Sequence, residues 1–342
     1  MPPIKTPPST ANHSALYLDL REFIRWIEDD FEPSLRRNGS TALYARHPED
    51  DDVELYGICD MASVLYTIDR LPVGERNLRD WSEAINSFQT EAHGWFAEKK
   101  PTHAVIHNTA YALSTLKLLG LNAKETLSIG PEFTSPKTYL LSLDWKERSY
   151  PESHFGAGIG SICALADELR ISDWFDEYFE TCDSLCNHDN GLLGIDKPAG
   201  GDIDQIGGSF HYAFLYHHFN RQMPYPEARI NTVLNLQKQE GYWDENNQLW
   251  LTLDALYLLT RTSRQTHHRF AEVKEAARRV ARLLERNVFS AEGRAKTFAG
   301  KQPAHALAAA ITAAAELQNF LGIQSIYTDR PLRNILDRRP FI

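Results

Sequence analysis

The sequence predicts an all-α fold, and three observations support this prediction. Apolar residues recur at helical spacing along most of the chain. A unit of helix, Gly/aromatic loop and helix repeats at intervals of about fifty residues, as in repeat architectures. No segment shows the strict alternation of apolar and polar residues that is typical of strands. The unit is clearest at 229–262, where Gln237, Gly241 and Trp243 close the first helix and an almost continuously apolar helix follows.

Six such helical hairpins follow one another along the chain. The first begins with Leu16, Leu20 and Phe23, whose spacing places them on one face of a helix. The second ends at Gly120, because glycine commonly terminates helices. The third begins with a weaker helical pattern, and the fourth contains a long Gly-rich loop. The paired segments are 16–31 with 53–71, 81–96 with 103–120, 138–145 with 153–169, 174–194 with 207–219, the two halves of 229–262, and 270–289 with 305–322.

The two helices of each hairpin differ in composition. First helices such as 271–287 have one apolar stripe and a charged face, as helices facing solvent do. Second helices such as 156–165 and 304–315 are small and apolar all round, so we expect them to be buried and closely packed. Six hairpins closing on themselves give an (α/α)6 barrel, or toroid, with the second helices inside. An open solenoid is the alternative, but it would expose one side of each second helix.

Length, charge and hydropathy limit the domain organisation and the partners. The 342 residues, 42% of them hydrophobic, suffice for a large globular domain. We expect a flexible leader at 1–15, a single domain at 16–331 and a C-terminal tail at 332–342. The net charge of −10 argues against a nucleic-acid partner. No apolar run approaches the roughly 20 residues of a membrane helix, and the N-terminus lacks the apolar core of a signal peptide. We therefore expect a cytoplasmic protein without a membrane partner, and its oligomeric state stays open.

The cysteines predict neither disulfides nor a metal site. Cys59, Cys163, Cys182 and Cys186 are too few for a disulfide scaffold in a chain of this size, so reduced and buried thiols are expected. Cys182, Cys186 and His188 could supply three metal ligands, but a structural zinc site needs four and no fourth is evident. The sequence therefore predicts no metal ion and no other cofactor.

The loop lengths indicate where a pocket would lie. Connections within hairpins are long and rich in Gly, Asp, His, Tyr and Trp, as at 36–52, 145–154 and 187–207. Several connections between hairpins are short. Long loops at the entrance of the inner helices are expected to form the functional face. The N-termini of the inner helices point to the same face, which modestly favours oxygen-rich or anionic ligands.

Acidic residues on the apolar second helices are candidate catalytic groups. When these helices are aligned, Asp60, His211 and Asp254 fall at similar depth inside the mouth. An unpaired buried carboxylate costs several kcal/mol, so Asp60 and Asp254 are either hydrogen-bonded for structural reasons or face a wet cavity. Asp204 is the third candidate acid. It lies with Asp202 in the predicted Gly-rich loop, where turn-forming Asp is common.

Histidines are concentrated near the starts of the second helices. His103 and His107 are four residues apart and share one helix face. A single histidine in such a place is commonly a hydrogen-bonded structural residue, but several converging on one cavity could donate and accept protons near neutral pH. The candidates for proton transfer are His107, His154 and His211, and those for substrate binding are His103 and His305.

Aromatic side chains near the loops have two interpretations. As core or loop anchors they would be buried and structural. In a cavity they would offer flat apolar faces to sugar rings, or to a prenyl chain or carbocation. The candidate substrate-binding aromatics are Tyr56, Trp95, Tyr212, Trp243 and Trp250.

The loop motifs resemble those of known toroid enzymes. Gln89 with Gly94-Trp95, and the matching loop after Gln237, look like the signatures of the six-hairpin (α/α)6 glycoside hydrolases, polysaccharide lyases and sugar epimerases. The same motif resembles the repeats of the terpene cyclases and protein prenyltransferases. The resemblance covers nearly the whole chain but is architectural, and it implies an enzyme with a central pocket without naming the reaction.

The sequence therefore predicts a carbohydrate-active enzyme for a small-molecule or oligosaccharide substrate, with uronic-acid-containing sugars among the candidates. The leading hypothesis is a glycoside hydrolase that uses two of Asp60, Asp204 and Asp254 as acid and base or nucleophile. The alternative is a lyase or sugar epimerase, in which a His and a Tyr move a proton next to a carboxylate. A terpenoid cyclase or prenyl-binding toroid and a non-catalytic scaffold are the remaining hypotheses.

Overall fold

The described part of the chain is almost entirely helical. A computed structural model describes residues 18–99, 103–146, 148–166, 173–194, 201–246 and 248–338, with only the backbone of Asp202. Among these residues the strands are two short segments, β1 (Leu18–Asp19) and β2 (Ile326–Tyr327), which pair in parallel. The all-α prediction is therefore confirmed, while the leader predicted at 1–15 lies outside the described residues.

The helices follow one another with short and medium-length connections. A π-helical turn at Ile27–Phe31 joins the first two, and another at Glu285–Phe289 follows the twelfth. In chain order the helices are α1 (Arg21–Trp26), α2 (Glu32–Leu35), α3 (Leu55–Thr67), α4 (Glu75–Asn86), α5 (Val105–Leu118), α6 (Pro136–Ser142), α7 (Ser149–Leu165), α8 (Trp174–Leu185), α9 (Gly201–His218), α10 (Pro226–Leu236), α11 (Leu249–Thr262), α12 (Phe270–Leu284), α13 (Ala291–Thr297) and α14 (Pro303–Leu321).

Six of the described helices, α3, α5, α7, α9, α11 and α14, are buried along most of their length. Their residues are apolar or small on every side, so no side is suited to water. In α3 every residue from Leu55 to Thr67 is buried. In chain order each of the six packs on the next, and α14 packs on α3. These helices contain the second helices of the predicted hairpins, and their predicted burial is confirmed.

The remaining long helices are amphipathic and cover the buried ones. In α12 the residues Val273, Ala276, Ala277 and Val280 are buried at spacings of three and four, whereas the intervening charged residues are at least partly exposed. Helix α12 packs on α14, on α11 and on α10. The division into charged outer and apolar inner helices therefore follows from the hydrophobic periodicity of each segment.

Glycines on α7 allow its neighbours to approach closely. A Cβ atom at Gly158 would lie 2.5 Å from Cγ2 of Ile106 on α5, and one at Gly160 would lie 2.5 Å from Cδ1 of Leu215 on α9. Both distances are far below the 3.5–4.0 Å of an ordinary carbon–carbon contact. The absence of side chains at these two positions therefore sets how close α5 and α9 come to α7.

The repeated Gln/Gly loops are structural devices. Gln89 donates from Nε2 to the carbonyl oxygens of Gly94 and Glu125, both at 2.7 Å. Gln237 donates in the same way to the carbonyl of Gly241 at 3.2 Å and to a carbonyl of α12 at 3.1 Å. Each glutamine thus closes its own loop and ties it to the following part of the chain, which explains why the motif recurs.

Helix α9 starts earlier than the sequence predicts. The sequence predicts a Gly-rich loop for the segment from Gly201 to Gly207, but this segment forms the first turns of α9. A Cβ at Gly207 would lie 2.6 Å from Cδ2 of Tyr150, so this glycine serves close packing against a ring rather than a turn. Asp204 is therefore a helical residue, and its assignment to a flexible loop is wrong.

The C-terminal segment after β2 packs against the helices. Leu332, Ile335 and Leu336 are buried, and the backbone N–H of Arg333 donates to the carbonyl of Thr67 at the end of α3 (2.9 Å). These contacts fix part of the segment predicted as a tail at 332–342. The four cysteines, all within the described residues, are buried and form no disulfide. Within the described residues, no helix combines the length and apolarity that crossing a membrane requires.

Candidate active site

Each of the six buried helices contributes one carboxylic acid or histidine to a common inner cavity. These residues are Asp60 (α3), His107 (α5), His154 (α7), His211 (α9), Asp254 (α11) and His305 (α14). His103, just before α5, Tyr150 of α7 and Trp250 of α11 also line the cavity. Eight of the thirteen predicted site residues therefore meet at one place, although they are spread over more than 200 residues of sequence.

The inner cavity is small, and a wider outer cleft adjoins it. The inner cavity has a volume of about 70 Å³, well below the roughly 300–1,000 Å³ typical of ligand pockets. The outer cleft measures about 330 Å³ and shares Trp250, His305 and Ala309 with the inner cavity. Its lining residues are Tyr242, Leu249, Trp250, Thr297, Gly300, Gln302, His305, Ala306 and Ala309. The two spaces suit a ligand whose body lies in the cleft and that extends one small group into the cavity.

Asp60 holds two neighbours through one oxygen. Its Oδ1 accepts a hydrogen bond of 2.6 Å from the hydroxyl of Tyr111 and lies 3.2 Å from Nδ1 of His305. Its Oδ2 is buried and has no hydrogen-bond partner among the described residues. A carboxylate that accepts from Nδ1 leaves the lone pair of the imidazole on Nε2. Asp60 therefore fixes the tautomer and orientation of His305, whose side chain is 35% exposed.

Asp254 is the opposite case, because its carboxyl group is isolated. The residue is 3% exposed, and burial raises the pKa of its carboxyl well above the usual range. No hydrogen bond to this carboxyl is found among the described residues, so nothing nearby stabilises its charged form. Asp254 therefore holds a proton under conditions in which an exposed aspartate has lost it.

Burial also keeps the histidines neutral. It lowers the pKa of His103 to about 3 and that of His154 to about 4. The pKa values of His107 and His211 lie well below the usual range, again because of burial and then because neighbouring histidines repel a second positive charge. The cavity therefore contains uncharged imidazoles that can accept protons or bind a metal ion.

Hydroxyl groups behind two of the histidines contact their Nδ1 atoms. Tyr56, on α3, places its hydroxyl against Nδ1 of His107. Ser153, on α7, places Oγ 2.9 Å from Nδ1 of His211. Tyr56 is 1% exposed and does not line the cavity. The structure therefore places this predicted substrate-binding residue behind the imidazoles, where it orients one of them.

Asp204 lies outside the inner cavity. Its Oδ2 accepts a hydrogen bond of 3.0 Å from the backbone N–H of Tyr150, in the first turn of α7. The first turn of a helix leaves N–H groups without partners inside the helix, so a carboxylate there stabilises the helix end. Burial raises the pKa of Asp204, and the bond from Tyr150 opposes this. Asp204 therefore positions α7 and Tyr150, rather than joining Asp60 and Asp254.

Three of the predicted aromatics also lie outside the cavity lining. The indole N–H of Trp95 donates to the carbonyl of Ser128, and that of Trp243 donates to the carbonyl of Val233. Tyr212 is buried with its ring against that of Trp145 at a centroid distance of 5.5 Å. These contacts correspond to the structural interpretation of the aromatics as anchors. Of the predicted aromatics, Trp250 lines the cavity.

The structure adds three residues to the predicted site: Tyr111 and Tyr150, which line the cavity, and Ser153, which contacts His211. Tyr111 follows His107 by four residues and His154 follows Tyr150 by four, so helical periodicity puts each pair on one face. The spacing of four residues from a candidate histidine is therefore the sequence feature that points to Tyr111 and Tyr150. Ser153 carried no such signal, because its role depends on a contact with His211 across two helices.

The cysteine cluster and the histidine cluster differ as possible metal sites. Cys186 has Sγ 4.0 Å from the carbonyl of Pro224, and the side chain of His188 is 80% exposed. Among the described residues, the group of His, Cys, Asp and Glu side chains close enough to share a metal ion consists of His107, His154 and His211. Their ligand atoms all lie within 4.8 Å of one another.

Comparison of the chain with protein-family models, with curated proteins and with solved structures gives no match. The chemistry and geometry of the cavity residues are therefore the basis for a functional assignment.

Proposed function

We propose that the protein is an enzyme that carries out general acid–base chemistry on a small hydroxylated, sugar-like substrate. The substrate body occupies the outer cleft and the reacting group enters the inner cavity. We further propose that the buried and amphipathic helices form a six-hairpin (α/α)6 barrel. The order in which the six buried helices pack, with α14 returning to α3, supports this architecture.

The observation that carries the proposal is the pairing of His305 with Asp60 in the cavity that also contains Asp254. A base held by a second group and an acid kept protonated by burial are the two elements that proton-transfer enzymes require. His305 accepts a proton at Nε2 while Asp60 holds Nδ1 and stabilises the imidazolium that forms. In an elimination or a hydrolysis Asp254 donates its proton to the leaving oxygen, and in an epimerisation it donates that proton to the opposite face of the carbon that His305 has deprotonated.

The position of His305 suits a base that meets the substrate first. It lines both the outer cleft and the inner cavity, and it is more exposed than His107 and His211, which are buried. Histidine is a common general base because it exchanges protons near neutral pH. The structural alternative, a histidine that only fills space, does not explain why a fully buried carboxylate is directed at Nδ1.

A sugar-like substrate fits the walls of the two spaces. Trp250 lies at the boundary of cleft and cavity, and its ring stacks on that of Tyr150 at a centroid distance of 5.0 Å and an interplanar angle of 22°. A flat aromatic surface next to polar groups binds molecules that have both apolar C–H faces and hydroxyls. The inner volume of about 70 Å³ admits one reacting group, so any longer chain lies in the cleft.

Among acid–base reactions, elimination or epimerisation is supported better than hydrolysis through two aspartates. Asp60 is fully buried, and its Oδ1 already contacts Tyr111 and His305. It is thus poorly placed to attack a sugar carbon or to activate a water molecule. In elimination or epimerisation His305 removes a C–H proton and Asp254 supplies a proton to the substrate. Both residues can do this in the positions that they occupy in the structure. Hydrolysis remains the second candidate, since Asp254 would serve it equally well as general acid.

The two other hypotheses have less support. A terpenoid cyclase or prenyl-binding protein needs a cavity lined mostly by aromatic and aliphatic groups, whereas this cavity combines two carboxylic acids with several histidines. A non-catalytic scaffold does not require a buried, unpaired acid such as Asp254, which lowers the stability of the fold.

The test is a screen of purified protein against oligosaccharides and sugar acids. Reducing ends report hydrolysis, ultraviolet absorbance reports unsaturated elimination products, and proton exchange from deuterated solvent reports epimerisation. With any active substrate, we expect H305Q and D254N each to lower kcat by about 10²–10⁴-fold, as is typical when a general acid or base is removed.

A matched control is H217Q. His217 is a half-buried histidine whose pKa is also lowered by burial, but its Nδ1 contacts the hydroxyl of Tyr257 at 2.7 Å and it does not line the cavity. H217Q should keep wild-type kcat. Full activity in D254N or H305Q, or equal loss in H217Q, would show that the assigned acid and base are not the reacting groups.

A further inference from the structure

We propose that His107, His154 and His211 bind a divalent transition-metal ion, for which Zn²⁺ is the best-suited probe. This inference goes beyond the acid–base function and does not rest on it, because it concerns three imidazoles that the pair of His305 and Asp254 does not use. The three histidines come from consecutive buried helices, α5, α7 and α9.

The distances between the ligand atoms are close to those of a metal site. The nitrogens that could coordinate an ion all lie within 4.8 Å of one another. Zinc–nitrogen bonds of about 2.0–2.1 Å in tetrahedral geometry require nitrogens roughly 3.3 Å apart. The nitrogens would therefore have to approach one another by at most about 1.5 Å. Small rotations about the histidine side-chain bonds can achieve this, because the energy wells of the ring torsion are broad.

The ring orientations favour convergence rather than stacking. The ring planes of His107 and His154 make an angle of 61°, and those of His154 and His211 make 82° at a centroid distance of 4.8 Å. The lone pair of an imidazole nitrogen lies in the ring plane, so steeply inclined rings can direct three lone pairs at one point. By contrast, His103 stacks on His107 at 16°, which directs its lone pairs past that point.

Hydrogen bonding fixes the tautomer of one ligand. Ser153 donates its single hydroxyl hydrogen to the carbonyl of Tyr150 at 2.5 Å, so toward His211 its oxygen acts as an acceptor. The proton of His211 therefore lies on Nδ1, and the lone pair lies on Nε2. Metal-bound histidines commonly donate their other N–H to an oxygen in this way.

A hydroxyl also lies behind a second ligand. The hydroxyl of Tyr56 contacts Nδ1 of His107, so Nε2 is the nitrogen of this ring that faces away from Tyr56. Tyr56 is itself held, because its ring stacks on His103 and the guanidinium of Arg46 lies 4.5 Å from its ring centre. The two hydroxyls thus orient two of the three imidazoles from outside.

The scaffold keeps the three helices at fixed spacing. Gly158 and Gly160 bring α5 and α9 into close contact with α7, so the helices have little freedom to separate. Three protein ligands leave a fourth coordination position, which a water molecule or a substrate oxygen can fill. Imidazole ligands suit Zn²⁺, Cu²⁺, Fe²⁺ and Ni²⁺ rather than Mg²⁺ or Ca²⁺.

The experiment is a zinc titration of the full chain after removal of metal with a chelator, followed by calorimetry. We expect one Zn²⁺ per chain in wild-type protein. Co²⁺ bound in its place should give the visible absorption of a four-coordinate site. H154A should abolish both signals. S153A should weaken zinc binding by about 10–100-fold, as loss of a hydrogen bond to a ligand does in other metal sites.

H217A is the control, because it removes a half-buried histidine of α9 outside the cluster and should bind zinc as the wild type does. Absence of saturable binding in folded wild-type protein, or binding unchanged in H154A, would overturn the assignment. If circular dichroism shows that H154A does not fold, S153A decides, since an unchanged affinity contradicts the site. All signals are independent of turnover, so failure of the acid–base proposal and failure of the metal site are distinguishable.

Discussion

Replacing Asp254 by asparagine should make the folded protein more stable, which is unusual for a buried residue. Burial raises the pKa of this carboxyl well above the usual range, and no hydrogen bond to it is found among the described residues. In the unfolded chain the carboxyl of Asp254 has a pKa of about 3.9. Between that pH and the higher folded pKa, the unfolded state has lost the proton and the folded state keeps it. Stability therefore falls as pH rises through this window.

The size of the effect follows from the pH slope. The free energy of unfolding decreases by up to about 1.4 kcal/mol for each pH unit in the window. Asparagine has no proton to retain, and its buried amide has a desolvation cost similar to that of the protonated acid. We therefore expect D254N to gain stability relative to the wild type as the pH rises, with a larger difference at pH 7 than at pH 5.

Urea unfolding at several pH values measures this difference, and D60N is the matched control. Asp60 lies in the same cavity and is fully buried, but it accepts a hydrogen bond from Tyr111 and contacts His305. D60N weakens these contacts and should lower the free energy of unfolding by about 1–3 kcal/mol. A D254N variant that is less stable than the wild type, or whose stability difference does not change with pH, would refute the explanation by burial.

Three further predictions concern other parts of the fold. G207A should destabilise by about 1–3 kcal/mol in thermal unfolding despite the better helix propensity of Ala, because its Cβ would lie 2.6 Å from the ring of Tyr150. E316A should cost about 3–5 kcal/mol in urea unfolding, because it breaks the bond of 2.6 Å to Arg261 in a buried ion pair. A309L should raise KM for a substrate, with little change in zinc affinity, because Ala309 lies between outer cleft and inner cavity.

Much of the fold follows from local patterns in the sequence. The apolar periodicity of segments such as 271–287 and the all-round apolarity of 304–315 indicate which helices face solvent and which are buried, and both assignments are confirmed. Helix periodicity is a property of neighbouring residues, so it needs no knowledge of tertiary contacts. The predicted pairing of His103 with His107 is seen as rings that stack at a centroid distance of 4.8 Å, although His103 lies just before α5 and not within it.

The start of α9 shows where local patterns fail. Glycine favours loops and turns on average, so Gly207 and its neighbours indicated a loop that held Asp204. In the structure Gly207 is helical because the ring of Tyr150 occupies the space of a side chain. That ring comes from α7, more than fifty residues earlier, and this contact cannot be inferred from the sequence around α9. The tertiary contact overrides the local preference.

The sequence predicts which residues line the cavity better than it predicts how their side chains are arranged. Alignment of the inner helices placed Asp60, His211 and Asp254 at similar depth, and all three line the cavity. Which side chains touch depends on how each helix is rotated about its axis, which sequence periodicity does not specify across helices. The sequence thus indicated histidines near a cavity, but not that His107 and His154 would be steeply inclined and close to His211.

The arrangement divides the cavity wall into two parts with different chemistry. His107, His154 and His211 come from α5, α7 and α9, whereas the acid Asp254 and the base His305 come from α11 and α14. The outer cleft is lined by residues of α11 and α14, among them His305, and not by the three imidazoles. Both parts face the same small cavity, so under the two proposals a group that reached Asp254 and His305 would also lie near the three imidazoles.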